Sequence, residues 1–96
     1  MIRHIVLFRL KDKSCGNLEK AADVLRGMEG KIDGMVSMEV GIDFLRSERS
    51  YDIALCALFK DKAALEAYQS HPVHLPVKEH MHAVRESSYA ADYEVD

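Results

Sequence analysis

Residues 2–10, IRHIVLFRL, put apolar side chains on both sides of an alternating pattern. Ile2, His4, Val6, Phe8 and Leu10 fall on one side; Arg3, Ile5, Leu7 and Arg9 fall on the other. A period of two is strand periodicity. Residues 51–59, YDIALCALF, are almost continuously apolar, as a central strand is. A strand that is apolar on both faces needs cover on both. A single sheet with helices on one side and water on the other does not meet that need.

The remaining segments say what kind of sheet these strands join. KDKSCGN breaks the first strand with turn residues, and a helix is expected from near Asn17. Its apolar stripe is Leu18, Ala21, Ala22, Leu25 and Met28. Gly27, Gly30 and Gly34 weaken and end it. Met35 to Phe44 reads as a second strand with Val36, Met38, Val40, Ile42 and Phe44 on one face, and LRSERS as a charged hairpin loop. Tyr51 to Phe59 is the third strand. Asp61 is an N-cap for a short helix from Lys62 to about Ser70, with Ala64, Leu65 and Tyr68 apolar. HPVHLP is an elbow, and Pro76 suits the first turn of another short helix. Tyr89, Ala91, Tyr93 and Val95 alternate along a last strand.

The order is strand, helix, strand, strand, helix, strand. It predicts one α+β domain over residues 1–96, a ferredoxin-like βαββαβ protomer with a four-stranded antiparallel sheet. Its helices cover one face. The other face is apolar and bare, so a second copy is expected to pack sheet against sheet, giving a homodimer.

Composition narrows the partners. The net charge is −3 and no basic stripe is visible, which argues against nucleic acid and against an anionic membrane surface. No apolar run reaches membrane length, and MIRHIVLFRLKDK carries charge inside its apolar run, unlike a signal peptide. Cys15, in a loop, and Cys56, a small hydrophobe in an apolar strand, are expected as free thiols in a reducing cytoplasm.

Four of the five histidines lie in YQSHPVHLPVKEHMH, residues 68–82. His80 and His82 are two apart, about 200° around a helix. They point apart, His80 inward beside Val77, Met81 and Val84, and His82 to solvent. His71 and His74 have H-x-x-H spacing, but Pro72 disfavours helix at His71. No carboxylate or cysteine stands at ligand spacing beside them, so no metal is expected. Acid–base work is the sharper reading. One well-placed imidazole suffices for proton transfer near neutral pH. His74 is the candidate, with Tyr68 six residues before it and His4 from the first strand. Each also has a plain reading: His4 as a hydrogen-bonded core histidine, Tyr68 as core packing, His74 as a helix connector.

IRHIVLFRLK, YQSHPVH and YAADYE, taken together, resemble the stress-responsive dimeric α+β barrel (Dabb) family over Ile2 to Glu94. The resemblance implies a ferredoxin-like protomer and a homodimer whose two sheets form a barrel. It implies no single function, since many members have no assigned activity. One plant polyketide cyclase in the family closes a linear tetraketide thioester by aldol condensation without a cofactor. Its tyrosine and histidine, in a Y-x-x-H-P-x-H segment, fall here on Tyr68 and His74, and its first-strand histidine falls on His4. Ile53 stands where it carries a further histidine. An apolar pocket for a small molecule is expected between the sheet and the helix that carries Tyr68. In it His74 would be a general base, Tyr68 an oxyanion donor and His4 an assisting group, with no cofactor. Such a site suits a cyclase, lyase or isomerase acting on a polyketide-like or phenolic molecule. A binding or stress-protective homodimer without turnover is the other reading, and cofactor-independent oxygenation of a phenol a third.

Overall fold

The computed structural model describes all 96 residues. The chain runs β1 (Ile2–Leu10), α1 (Cys15–Arg26), β2 (Met35–Ile42), β3 (Ile53–Phe59), α2 (Lys62–Tyr68), α3 (His74–Val84) and β4 (Arg85–Glu94). The four strands form one antiparallel sheet in the order β2-β3-β1-β4. This is the expected ferredoxin-like arrangement, with its second helical stretch split at the elbow.

The helices pack on the face that carries Ile2, His4, Val6, Phe8 and Leu10. Leu18, Ala21, Ala22 and Leu25 of α1 are buried against it, as the apolar stripe predicts. Ile53, Leu55, Ala57 and Phe59 of β3 lie under the helices, with Tyr68, Val77 and Met81 above them. Each fully buried large apolar side chain here stabilises the fold by about 1.5–3 kcal/mol.

Several boundaries differ from expectation, each for a local reason. Helix α1 begins at Cys15, not near Asn17, because the Ser14 carbonyl already accepts the N–H groups of Asn17 and Leu18. Cys15 is therefore an exposed first-turn residue and not part of a loop. In β2, Met35 pairs with Phe59 and Ser37 with Leu58, so Val36 is the extra residue of a bulge. The bulge turns Val36 outward, and Phe44 lies beyond the strand, 91% exposed. The single face expected for Val36 to Phe44 is thereby broken. Cys56 is half-buried on the outer face and does not join the core.

Two features fix the ends of the sheet. Gly34 has a φ of +82°, and a Cβ there would stand 2.6 Å from the Ala64 Cβ. Only glycine permits both the turn and the approach of α2. Asp52 is buried, 2% exposed, just before β3. Its carboxylate accepts from Leu10 N–H at 2.7 Å, Lys13 Nζ at 3.0 Å and an Arg46 nitrogen at 2.7 Å. It ties the 43–52 loop to the end of β1.

The face away from the helices has no cover within the protomer. Leu7, Tyr89 and Tyr93 lie on it, all exposed, along with Ile5 and Leu58. No helix is long and apolar enough to cross a membrane.

Candidate functional site

Strand β1 brings His4 to the middle of the covered face. Its cross-strand partners are Ala57 and Asp92. Residues directly opposite on neighbouring strands share a face, so the two side chains meet. His4 Nδ1 lies 2.5 Å from Asp92 Oδ1, with His4 buried and Asp92 half-exposed. A carboxylate can only accept, so Nδ1 carries the proton and Nε2 is left free.

The elbow sets the second histidine. His71 Nδ1 accepts the Val73 N–H at 3.1 Å, and the His71 carbonyl accepts from His74 N and Leu75 N. His71 thus shapes the turn into α3, whose first residue is His74. His74 Nδ1 donates to the Tyr68 backbone carbonyl at 2.9 Å. In the neutral ring the lone pair is then on Nε2. Burial holds the His74 pKa below the usual imidazole value, outweighing the opposite pull of the Tyr68 carbonyl; Lys78, His4 and His71 add to the lowering. Burial thus favours the neutral form of the His74 imidazole.

Tyr68 ends α2 and is 3% exposed. Its ring stacks on His74, with centres 3.8 Å apart and planes 10° from parallel. The His4 ring meets it edge-on at 5.9 Å. The Tyr68 hydroxyl donates to Met28 Sδ at 3.8 Å, a weak acceptor. Burial pushes the phenol up to about 12, so it stays protonated.

His4, Tyr68 and His74 line one cavity of about 350 Å³ between the sheet and α3. Val6, Phe8 and Leu55 of the sheet and Leu25 of α1 give it an apolar lining. The expectation of a wholly apolar pocket needs correction: Gln69, Lys78, His82, Arg85 and Ser88 also line it. His82, expected to face bulk solvent, is exposed but borders this cavity; His80 is half-buried and does not. No group of three or more His, Cys, Asp or Glu side chains is arranged to hold a metal ion.

Sequence reasoning missed Asp92, Lys78 and Arg85. Lys78 was findable, because 74, 78 and 82 repeat at helical spacing. Asp92 was not, because its meeting with His4 depends on the β1–β4 register across 88 positions.

Comparison with known proteins adds five findings. Residues 2–95 match the sequence profile of the Stress responsive A/B Barrel Domain, or Dabb. An uncharacterized protein of Streptomyces coelicolor is 30% identical over 77 residues, which cover 77% of this chain and 79% of that protein. A Bacteroides fragilis protein of unknown function, described as dimeric with a ferredoxin-like fold, superposes with a TM-score of 0.85 at 26% identity, covering 98% of this chain and 95% of that one. Two enzymes share the fold alone. A hydroxynitrile lyase from Passiflora edulis has a TM-score of 0.84 at 17% identity, covering 99% of this chain and 93% of its own. A cofactor-independent oxygenase from Streptomyces nogalater has a TM-score of 0.76 at 13% identity, covering 98% and 91%.

Proposed function

The chain belongs to the stress-responsive A/B barrel domain family, and from that premise we propose that it is a homodimer whose cavities bind a small, partly apolar molecule and move a proton on it without a cofactor. The observation that carries the reading is the state of His74. Its Nδ1 is committed to the Tyr68 carbonyl, it is kept neutral by burial, and its basic Nε2 belongs to a ring that lines the cavity.

In this reading His74 Nε2 takes a proton from a carbon next to a carbonyl. The electron pair moves onto the carbonyl oxygen, and Tyr68 donates a hydrogen bond to the oxyanion so formed. A phenol held only by a thioether gives up that partner at little cost. His4, aligned by Asp92, presents a second imidazole nitrogen to help orient the substrate. The enolate then attacks a second carbonyl of the same molecule or is reprotonated at another atom, and His74 returns the proton. Aldol cyclisation, lyase and isomerase steps share this chemistry. General acid–base catalysis of this kind contributes about 10²–10⁴-fold.

The bare outer face supports the dimer, since exposed Leu7, Tyr89 and Tyr93 would be covered by a second copy while the cavity, on the opposite face, stays open. Dimeric neighbours of the same fold support it too. The two free cysteines support a reducing, cytoplasmic setting.

The test is keto–enol exchange of benzoylacetone, followed in heavy water by NMR. The wild type is expected to accelerate deuterium uptake, His74→Ala to lose that acceleration, and Tyr68→Phe to lose about 10²-fold while still folding. Equal exchange with wild type and His74→Ala would overturn the reading. Turnover that requires dissolved oxygen would replace it with oxygenation.

A further inference from the structure

The cavity has a basic mouth on an acidic protein. Helix α3 carries His74, Lys78 and His82 at successive i, i+4 positions, so all three lie along one helix face. Lys78 is one turn and His82 two turns from the base, roughly 6 and 12 Å along the axis. Arg85 follows at the start of β4, and all four residues line the cavity.

The Arg85 guanidinium is held in place at the cavity wall. One Arg85 nitrogen donates to Ser88 Oγ at 3.0 Å, and another lies 3.2 Å from His82 Nδ1. A guanidinium cannot accept, so His82 Nδ1 is the acceptor there. These two bonds use two of the five N–H groups of Arg85. Lys78 Nζ donates to the Gln69 carbonyl at 3.2 Å and keeps its other N–H groups. Neither cation forms an ion pair; the carboxylates that do so are Asp23, Asp43, Asp52, Asp92 and Glu94. Asp92 is the one carboxylate lining the cavity, and it is already bonded to His4. The mouth is therefore positive in a chain whose net charge is −3. A cleft of one sign draws in ligands of the other.

We propose that the ligand carries a carboxylate, held at the cavity mouth by Arg85 and Lys78, while its apolar body lies on Val6, Phe8, Leu25 and Leu55. This rests on the small-molecule reading above and names the class of molecule. A guanidinium fork matches a carboxylate with two parallel hydrogen bonds. The helical spacing then sets the length of the ligand. Its acid end is about two helical turns from His74, with the reacting carbon at the other end. An enolisable aryl or polyketide-like acid has those dimensions and that division of polarity.

The experiment compares matched probes by calorimetry: 2-naphthoate, 2-naphthamide and 2-naphthyl phosphate, each with wild type, Arg85→Gln and Lys78→Gln. The naphthoate is expected to bind wild type about tenfold or more tightly than the amide, as a charge-assisted hydrogen bond provides. Arg85→Gln is expected to erase most of that difference and Lys78→Gln part of it, with amide affinity unchanged. His74→Ala is expected to leave the difference in place. Equal binding of acid and amide to wild type overturns the proposal while leaving the small-molecule pocket standing. So does a preference that survives both substitutions. Tighter binding of the phosphate than of the naphthoate overturns the carboxylate in favour of a phosphate. Failure of all three probes to bind overturns the pocket reading itself, and this proposal with it.

Discussion

The imidazole of His74 lies flat on the ring of Tyr68, centres 3.8 Å apart, while its Nδ1 donates to the backbone carbonyl of the same tyrosine. One residue thus holds the base twice. The ring fixes the plane of the imidazole and the carbonyl fixes its tautomer. The spacing that permits this is Tyr68 at the end of α2 and His74 at the start of α3, joined by the His71–Pro72 elbow.

The first prediction follows from the burial of His74. Its folded pKa lies below the ordinary 6.5, so the unfolded chain binds a proton that the native state resists. The stability this group contributes is complete above pH 6.5 and is lost as pH falls below that value. The melting temperature of wild type is expected to drop between pH 7 and pH 5. In His74→Gln the drop over that window is expected to be shallower. Thermal melts of both proteins by circular dichroism measure it, and parallel curves would show that His74 is not held neutral.

Asp92→Ala removes the partner of His4 Nδ1 and nothing from the core, because Asp92 is half-exposed. The expected result is a loss of about 10–100-fold in benzoylacetone exchange with a melting temperature nearly unchanged. A second readout separates positioning from packing. Nitrogen-15 NMR of His4 is expected to show Nδ1 protonated in wild type and a mixture of tautomers in the variant. An unchanged His4 spectrum would mean that Asp92 does not set its orientation.

These two sites differ in how far the sequence reveals them. Period-two alternation places His4 on the covered face, and i, i+3, i+4 spacing places the α1 stripe from Leu18 to Leu25, because both patterns are local. The elbow residues carry the Tyr68–His74 pairing through the resemblance of YQSHPVH. Register is not local. The bulge at Val36 and the meeting of His4 with Asp92 depend on which residues face each other across strands. Asp52 is hidden for the same reason. Read as part of the third strand, its carboxylate shows no partner until Leu10, Lys13 and Arg46 are seen around it.

The outer sheet face gives the third prediction. Leu7 stands opposite Ala54 on one side and Tyr89 on the other, at the centre of the uncovered face. It is 37% exposed in the protomer, so a charge there leaves the helix-side core alone. In a paired sheet the same charge is buried without a partner, which costs several kcal/mol. Light scattering coupled to gel filtration is expected to give a dimer for wild type and a monomer for Leu7→Glu. A monomeric wild type would remove the paired-sheet arrangement altogether.

Asp52→Asn tests how the loop after β2 is anchored. Burial by itself would raise the Asp52 pKa, but hydrogen bonds from the Leu10 N–H, Arg46 and Lys13, and the charge of Lys13, prevail and hold the carboxyl below its ordinary 3.8. A depressed carboxyl contributes stability that is present above pH 3.8 and is lost as pH falls through the folded value. The amide keeps the shape but loses the charge that Lys13 and Arg46 share, and it puts an N–H₂ group where only acceptors are needed. Breaking one side of a buried charged cluster costs about 3–5 kcal/mol, and Lys13 and Arg46 are each partly exposed, so a loss of about 2–3 kcal/mol is expected in urea unfolding at pH 7. The gap between the two proteins is expected to narrow as pH falls below 4, because wild type then loses the same charge. A gap that stays constant from pH 7 to pH 3 would mean that packing of the side chain, and not its ionisation, secures the loop.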